Sequence, residues 1–173
     1  MKFGEHGRIP SVDELDSAIV EHLQRDARQT NRELARTLGI APSTCLERVR
    51  LLRRRGVING FTAQVELGAL GRHVQALIAV QVRPLSRRVI DDFHDSMIAN
   101  PEVLAVFVLA GGDDFVVHVA VQDVEHLQAF LLDRFSRRRE IIGFRTSVVF
   151  QHSAKTVVPA VTRTSGPSRV GRG

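Results

Sequence analysis

The sequence predicts an α+β protein with a three-helix helix-turn-helix head and a C-terminal ferredoxin-like βαββαβ domain. Apolar residues recur at helical spacing over about residues 12–55 and alternate at strand spacing in several segments after residue 74. Two helical patterns interrupt those later strands. The 173 residues are enough for two small domains, and 43% apolar with 25% charged content is typical of globular proteins.

The head is expected to span residues 11–60, after a flexible leader of residues 1–10. Its first helix is predicted over about residues 12–25, because Ser11 and Glu14 have the spacing of a capping box. An apolar stripe at four-residue spacing supports it, formed by Leu15, Ile19 and Leu23. We expect this helix to pack beneath the next two, since a pair of short helices cannot bury its apolar faces alone.

The segment 30–56 contains two short helical patterns separated by a tight turn. Thr30 and Glu33 form a capping box at the start of the first, and Gly39 stands where a helix end favours a left-handed residue. Pro42 suits the first turn of the second helix, which is then rich in arginine. Two helices, a glycine-containing turn and a basic second helix indicate a helix-turn-helix, which binds double-stranded DNA.

The start of the second helix is expected to enter the major groove and to lie nearest the bases. The residues placed there are Pro42, Ser43, Thr44, Glu47 and Arg48. Arg50, Arg53 and Arg54 follow and are expected to contact phosphates, which gives affinity without sequence information. Two alternatives stay open. The arginines can form a merely solvated face, and Arg48 can pair with an acidic residue inside the head.

The positive charge is concentrated in two places. The formal net charge is +5, and residues 42–56 carry five arginines against one glutamate. The last 22 residues carry four basic and no acidic side chains, whereas residues 74–151 carry eight basic and ten acidic ones. The excess therefore lies on the second helix of the helix-turn-helix and near the C-terminus, where residues 158–173 are predicted to be a disordered basic tail.

Several classes of protein are disfavoured by what the sequence lacks. It has no apolar run long enough to span a membrane and no signal-peptide pattern at its start, so we expect a cytoplasmic protein without membrane contact. The single cysteine, Cys45, is expected to be a buried core residue in a reducing compartment. No metal-ligand spacing, catalytic grouping or glycine-rich phosphate loop is present, so no metal, cofactor or enzymatic activity is predicted.

A strand and linker over residues 61–73 are expected to lead into the C-terminal domain, residues 74–157. Its predicted elements are a strand Val74–Val82, a helix with its stripe from Val89 to Ile98, strands Val103–Ala110 and Phe115–Val121, a helix capped by Asp123, and a strand over about Ile141–His152. Both helices should cover one sheet face. The other face, with Leu77, Ala79, Val106 and Val108, is then bare, so we expect a dimer through this domain. His118 is expected at that interface.

A helix-turn-helix followed by a βαββαβ domain resembles the Lrp/AsnC family of transcriptional regulators. The resemblance covers about residues 12–157 and is most specific over residues 38–67; Asn31, in the second helix, also matches and is placed at the DNA. Where the family usually has a serine cap, this chain has Ala41. The resemblance implies homodimers, often assembled into octamers, and an amino acid or related small molecule bound at interfaces between the C-terminal domains.

The family's effector loop is similar to one segment of this chain: Gly111, Gly112, Asp113, Asp114 and Phe115. As an effector site, the two aspartates would hold an α-ammonium group while backbone N–H groups of the glycine turn take the carboxylate. As a plain hairpin turn, the same residues need no ligand.

Taken together, these features lead to the hypothesis of a sequence-specific regulator of amino-acid metabolism, modulated by an amino acid. The alternative is a small-molecule-sensing regulatory module that acts on an enzyme partner.

Overall fold

A computed structural model describes residues 12–161, which form two compact units. The first contains residues 12–63 together with residues 154–161, and the second contains residues 64–153. Residues 154–157, predicted within the C-terminal domain, thus group with the head. The predicted leader, Ser11 and the tail beyond residue 161 lie outside the described residues. Among the residues that are described, no helix has both the length and the apolar character needed to cross a bilayer.

The head contains the three predicted helices: α1 is Glu14–Arg25, α2 is Asn31–Leu38 and α3 is Pro42–Arg54. Their apolar stripes meet in one core, which consists of Ile19, Leu23, Leu34, Ala35, Cys45 and Leu52. Burial raises the pKa of the Cys45 thiol, which agrees with the predicted core role.

The helix ends of the head follow from local hydrogen bonds. The capping box at α2 is present, since the Glu33 N–H donates to Thr30 Oγ1 at 3.2 Å and the Thr30 N–H donates to Glu33 Oε2 at 2.8 Å. Gly39 ends α2 with φ 66°, as expected. The cap of α1 differs from the prediction: Asp13, whose Oδ1 accepts from the Asp16 N–H at 2.7 Å, takes the place assigned to Ser11.

The strand predicted within residues 61–73 is not formed. Residues 59–66 have no regular structure, and Phe61 and Val65 are exposed. A strand needs a neighbour for its N–H and C=O groups, and this segment pairs with none within the described chain. A short 3₁₀ turn, Leu67–Leu70, follows.

The second unit is a four-stranded antiparallel sheet with two helices on one face. Its elements are β1 Val74–Val82, α4 Arg87–Ile98, β2 Val103–Val108, β3 Phe115–Val121, α5 Val124–Leu131 and β4 Ile141–Val149. The strand order β2-β3-β1-β4, with antiparallel neighbours throughout, is the predicted ferredoxin-like arrangement. Asp123 caps α5, as predicted, by accepting from the His126 N–H at 2.7 Å.

The residues of β2 lie on the faces opposite to those predicted. Val106 and Val108 pack against the helix-covered core, and Phe107 is on the open face with 51% of its surface exposed. The pairings Val106↔Val117 and Phe107↔Val116 fix this orientation. An almost unbroken apolar run gives no alternation from which to choose a face, and the register also shifts between Val103 and Ala105.

Candidate DNA interface and effector loop

The outward side of α3 holds the residues predicted to read DNA. Pro42, Ser43, Thr44 and Glu47 are exposed near the start of the helix, where no side chain caps the free N–H groups. A depression of ≈ 440 Å³ follows the same side, and it is lined by Thr44, Glu47, Arg48, Arg50, Leu51 and Arg54. Leu51, which is 39% exposed, is the one apolar side chain of this lining, and the sequence did not predict its place on this surface. Asn31 is exposed at the first position of α2.

Three of the predicted phosphate-contacting residues are open to solvent. Arg50, Arg53 and Arg54 are exposed, and within residues 12–161 no acidic side chain lies at ion-pair distance from them. Their guanidinium groups therefore keep their positive charge available to an anionic partner. Phosphate oxygens are such a partner, and arginine matches their planar geometry.

Arg48 has a different environment from the other arginines of α3. Its Nη1 donates to Asp13 Oδ2 and, at 2.9 Å, to Asp16 Oδ1, while Arg55 Nη1 lies 3.4 Å from Asp16 Oδ2. The Asp16 N–H and then Arg48 lower the pKa of Asp13, and the two aspartates raise the pKa of Arg48. The ion pair with an acid of the head, left open by the sequence, is therefore formed.

This cluster fixes α3 to α1. Asp16 is only 3% exposed, so its charge needs the arginines that flank it. The sequence does show an acid, Asp16, next to the apolar stripe of α1, which indicates a buried charge. Residue spacing alone does not reveal which cation pairs with it. Asp13, Asp16 and Arg55 are the functional-site neighbours that sequence reasoning missed.

The predicted effector residues form the loop between β2 and β3 and the first residue of β3, and two of them are buried. Phe115 is fully buried, with its ring centroid 4.4 Å from that of Phe93. Asp114 is 8% exposed, and its Oδ2 accepts from the Val82 N–H at 2.8 Å and from Arg83 Nη1 at 3.1 Å. Asp114 thus ties the loop to β1, and this oxygen is already occupied.

Of the remaining loop residues, Gly111 and Gly112 are exposed, and Asp113 is partly buried. Asp113 Oδ2 accepts from Arg145 Nη2 at 2.6 Å, and Gln81 Nε2 donates to the Gly112 carbonyl at 2.7 Å. Within the part of the chain that the structure describes, the N–H groups of residues 111–113 donate to no acceptor, whereas the Asp114 N–H donates to the Val80 carbonyl. The free N–H donors of the loop therefore lie next to an acid, Asp113, and a guanidinium of β4, Arg145, that are paired with each other.

The two glycines of the loop are not required by a left-handed backbone. Gly111 and Gly112 are not among the residues with positive φ, and a Cβ at either position would meet nothing within 4 Å. Their absent side chains therefore leave open space at this part of the loop. No set of three His, Cys, Asp or Glu side chains in residues 12–161 is arranged to hold a metal ion.

Two models of known protein families match this sequence. The Lrp/AsnC ligand binding domain matches residues 75–159, and a winged helix-turn-helix DNA-binding domain matches residues 12–59. The first corresponds to the sheet unit with its effector loop, and the second to the three-helix head.

Known proteins and solved structures show the same likeness. The HTH-type transcriptional regulator AldR of Mycolicibacterium smegmatis is 40% identical over 84% of this chain and 85% of AldR. The transcriptional regulator AzlB of Bacillus subtilis is 34% identical over 84% of this chain and 93% of AzlB. The structure of a Neisseria meningitidis transcriptional regulator in complex with L-Met has a TM-score of 0.79 and 28% identity, covering 86% of this chain and 97% of its own. The chain therefore belongs to the Lrp/AsnC family and is a DNA-binding transcriptional regulator, not an enzyme.

Proposed function

We propose that this protein controls genes of amino-acid metabolism in the cytoplasm and that an amino acid bound at the 111–115 loop sets its affinity for DNA. One observation carries the proposal: unused N–H donors lie beside the Asp113 carboxylate and the Arg145 guanidinium. An α-amino acid has one carboxylate and one ammonium group, which are the complements of these groups. The L-Met bound to the Neisseria meningitidis regulator supports the same chemical class.

On the DNA, the start of α3 would read base edges through Pro42, Ser43, Thr44 and Glu47. Arg48, which is paired with Asp13 and Asp16, would hold the helix in position for this contact. Arg50, Arg53, Arg54 and Asn31 would contact phosphates or sugar oxygens. Two heads in a dimer would meet two half-sites about one helical turn apart. The exposed and unpaired arginines support this role, because phosphate contacts need free cations.

The open face of the sheet supports assembly into homodimers and then octamers. Leu77 and Phe107 are exposed apolar residues on that face, and a second copy would bury them. Gln81 and Arg145 occupy the same face, since residues 79 and 145 are paired and side chains alternate along a strand. A ligand on the loop would therefore lie at the edge of the surface that two chains share.

This placement gives the effector a way to act. A ligand changes the protein only if it binds one geometry of the assembly better than another. A typical coupling of about 1–3 kcal/mol would change the affinity for DNA about 5- to 150-fold. The proposed sequence of events is ligand binding at the loop, a shift in how the domains assemble, and a changed spacing of the heads.

The test is fluorescence anisotropy with labelled DNA from upstream of the protein's own gene, over a salt series and with each of the twenty amino acids. We expect tight, steeply salt-dependent binding that one or a few amino acids change at least fivefold. Specific binding indifferent to every amino acid would reject the effector part of the proposal. Equal affinity for this DNA and for random duplex would reject sequence-specific recognition.

A further inference from the structure

Two arginines of the sheet unit form no ion pair within residues 12–161, and both lie in one turn between α5 and β4. The eight basic residues of segment 74–151 are all arginines. Six of them pair with acids of the unit: Arg83, Arg87, Arg88, Arg137, Arg138 and Arg145. The other two, Arg134 and Arg139, are exposed. We call residues 134–139, which contain both, the basic turn.

The basic turn is held in place by two side chains between its exposed arginines. Phe135 is buried in the core, with its ring centroid 5.5 Å from that of Phe144 on β4. Arg138 is half-buried, and its Nη2 donates to Ser96 Oγ on α4 at 2.8 Å. These two anchors fix the turn to the sheet and to α4, so it holds its exposed arginines at fixed backbone positions.

Three arginines of the turn are available to an anion. Arg134 and Arg139 are exposed, and so is Arg137, whose pair with Asp133 at 3.3 Å is a surface ion pair worth less than about 1 kcal/mol. Five residues separate the outer two arginines, so their Cα atoms are at most about 18 Å apart. DNA carries one negative charge for about each 1.7 Å of its axis, so a duplex offers several phosphates over that length.

A second copy of the sheet unit has few acids to offer this turn. Segment 74–151 has ten acidic residues, and nine of them have an ion-pair or hydrogen-bond partner within the unit. Glu125 is the one without such a partner in the described chain. The surplus of the unit is therefore cationic and confined to the basic turn, and it calls for an anionic partner other than a copy of this unit.

We propose that the basic turn is a second DNA contact, in which Arg134, Arg137 and Arg139 bind phosphates outside the site read by α3. Residues 59–66, which join the two units, span at most about 29 Å, so a DNA-bound head keeps the sheet unit near the same duplex. The contact adds affinity but no sequence preference, because phosphates are the same at every base pair. The proposal rests on the DNA-binding role of the head and extends it to the unit that matches the ligand binding domain.

The experiment measures the anisotropy of a fluorescein-labelled random duplex of about 30 base pairs, about three helical turns, against salt with the full chain. The test variant combines Arg134→Gln and Arg139→Gln. The matched control combines Arg87→Gln and Arg88→Gln, which removes the same formal charge from the sheet unit at arginines paired with acids of α4. Arg50→Ala reports separately on the proposed phosphate contact of the head.

The test variant should bind at least about tenfold more weakly at 0.15 M salt, and its log–log salt slope should be shallower by about 1.8, since each lost contact removes about 0.9. The matched control should bind like the unchanged chain. Arg50→Ala should make the slope shallower by about 0.9. Equal melting temperatures of the test variant and the unchanged chain would exclude a loss of folding.

A second measurement locates the contact while all arginines stay in place. Cys45 is the sole cysteine and is fully buried, so an added exposed cysteine can be labelled with benzophenone maleimide. Ser136→Cys places this photocrosslinker in the basic turn. Val124→Cys places it at the start of α5, about 18 Å away along the helical segment. Irradiation with the duplex should crosslink the first variant to DNA and not the second.

Three results would overturn the proposal. An unchanged salt slope in the test variant, with the expected change in Arg50→Ala, means that the head binds DNA and the basic turn does not. If neither slope changes, the proposed phosphate contacts of the head and of the turn both fail. An equal loss in the test variant and the matched control, with equal crosslinking from Ser136→Cys and Val124→Cys, means that net charge and not the turn governs the affinity.

Discussion

Arg48 and Arg50 lie two positions apart on α3, and the side of the helix decides what each can do. Arg48 points back to the two aspartates of the α1 start, whereas Arg50 points into solvent. A guanidinium that is already paired with two carboxylates binds a phosphate more weakly than a guanidinium without an acidic partner. The first is therefore expected to position the helix and the second to bind DNA.

Alanine variants separate these two roles. Arg50→Ala should leave the melting temperature unchanged and make the salt slope of DNA binding shallower by about 0.9, the contribution of one phosphate. Arg48→Ala should instead lower the melting temperature, because the buried Asp16 loses one of its two cations. Calorimetry and anisotropy on both variants check this; a stable Arg48→Ala protein with a shallower slope would contradict the assignment.

The two aspartates of the loop should also have different roles: Asp114 should stabilise the fold, and Asp113 should bind the proposed effector. Asp114→Ala leaves the buried Val82 N–H without its acceptor, which should lower the unfolding free energy by about 1–3 kcal/mol. Asp113→Ala removes an ion pair with the exposed Arg145, worth less than about 1 kcal/mol, and a long hydrogen bond from Gln81, yet it should abolish the proposed amino-acid response. Urea denaturation and the anisotropy titration measure the two effects. A full response in a folded Asp113→Ala protein would leave the loop as a plain turn.

At the scale of the element, the sequence predicted well wherever a local pattern decides the structure. The α2 capping box needs only Thr30 and Glu33 three positions apart, and β3 alternates cleanly, so both were correctly placed. The face of β2 was wrong because its run of apolar residues fits either side. The burial of Asp114 was missed for a related reason, since its partner Val82 lies on another strand and only the folded register brings the two together.

The start of α3 offers an element-scale test of helix capping. Ala41 has the backbone conformation of a cap residue but makes no side-chain hydrogen bond. Ala41→Ser should therefore raise the unfolding free energy by about 1 kcal/mol, and Thr30→Ala should lower it by about the same amount at α2. Thermal and urea unfolding of both variants provide the measurement. No gain from Ala41→Ser would mean that the added hydroxyl is satisfied elsewhere.

At the scale of the whole molecule, stability should fall on mild acidification. Burial, and then the neighbouring His152, lower the pKa of His118, whose Nε2 lies 3.0 Å from Gln75 Oε1. Because the folded pKa lies below the ordinary value of about 6.5, the unfolded state binds more protons in the interval between them. Stability is then lost as the pH falls from about 6.5 toward the folded pKa. Unfolding at pH 7.5 and 5.0 should show this loss, and His118→Gln should reduce it.

If two copies associate through the open sheet face, as proposed, the oligomeric state should be sensitive to single apolar residues on that face. A charge placed on a surface that two chains bury loses its hydration without gaining a partner, so Phe107→Glu should convert the proposed dimer into monomers. Val124→Glu is the matched control, because Val124 is also an exposed apolar residue, slightly more so than Phe107, but begins α5, where an acid suits the helix dipole. Sedimentation velocity, with circular dichroism to verify folding, distinguishes the two. If Phe107→Glu sediments like the unchanged chain while Val124→Glu dissociates, the chains associate through the helices. An effector bound at the 111–115 loop would then lie away from the interface and could not change the spacing of the heads through it.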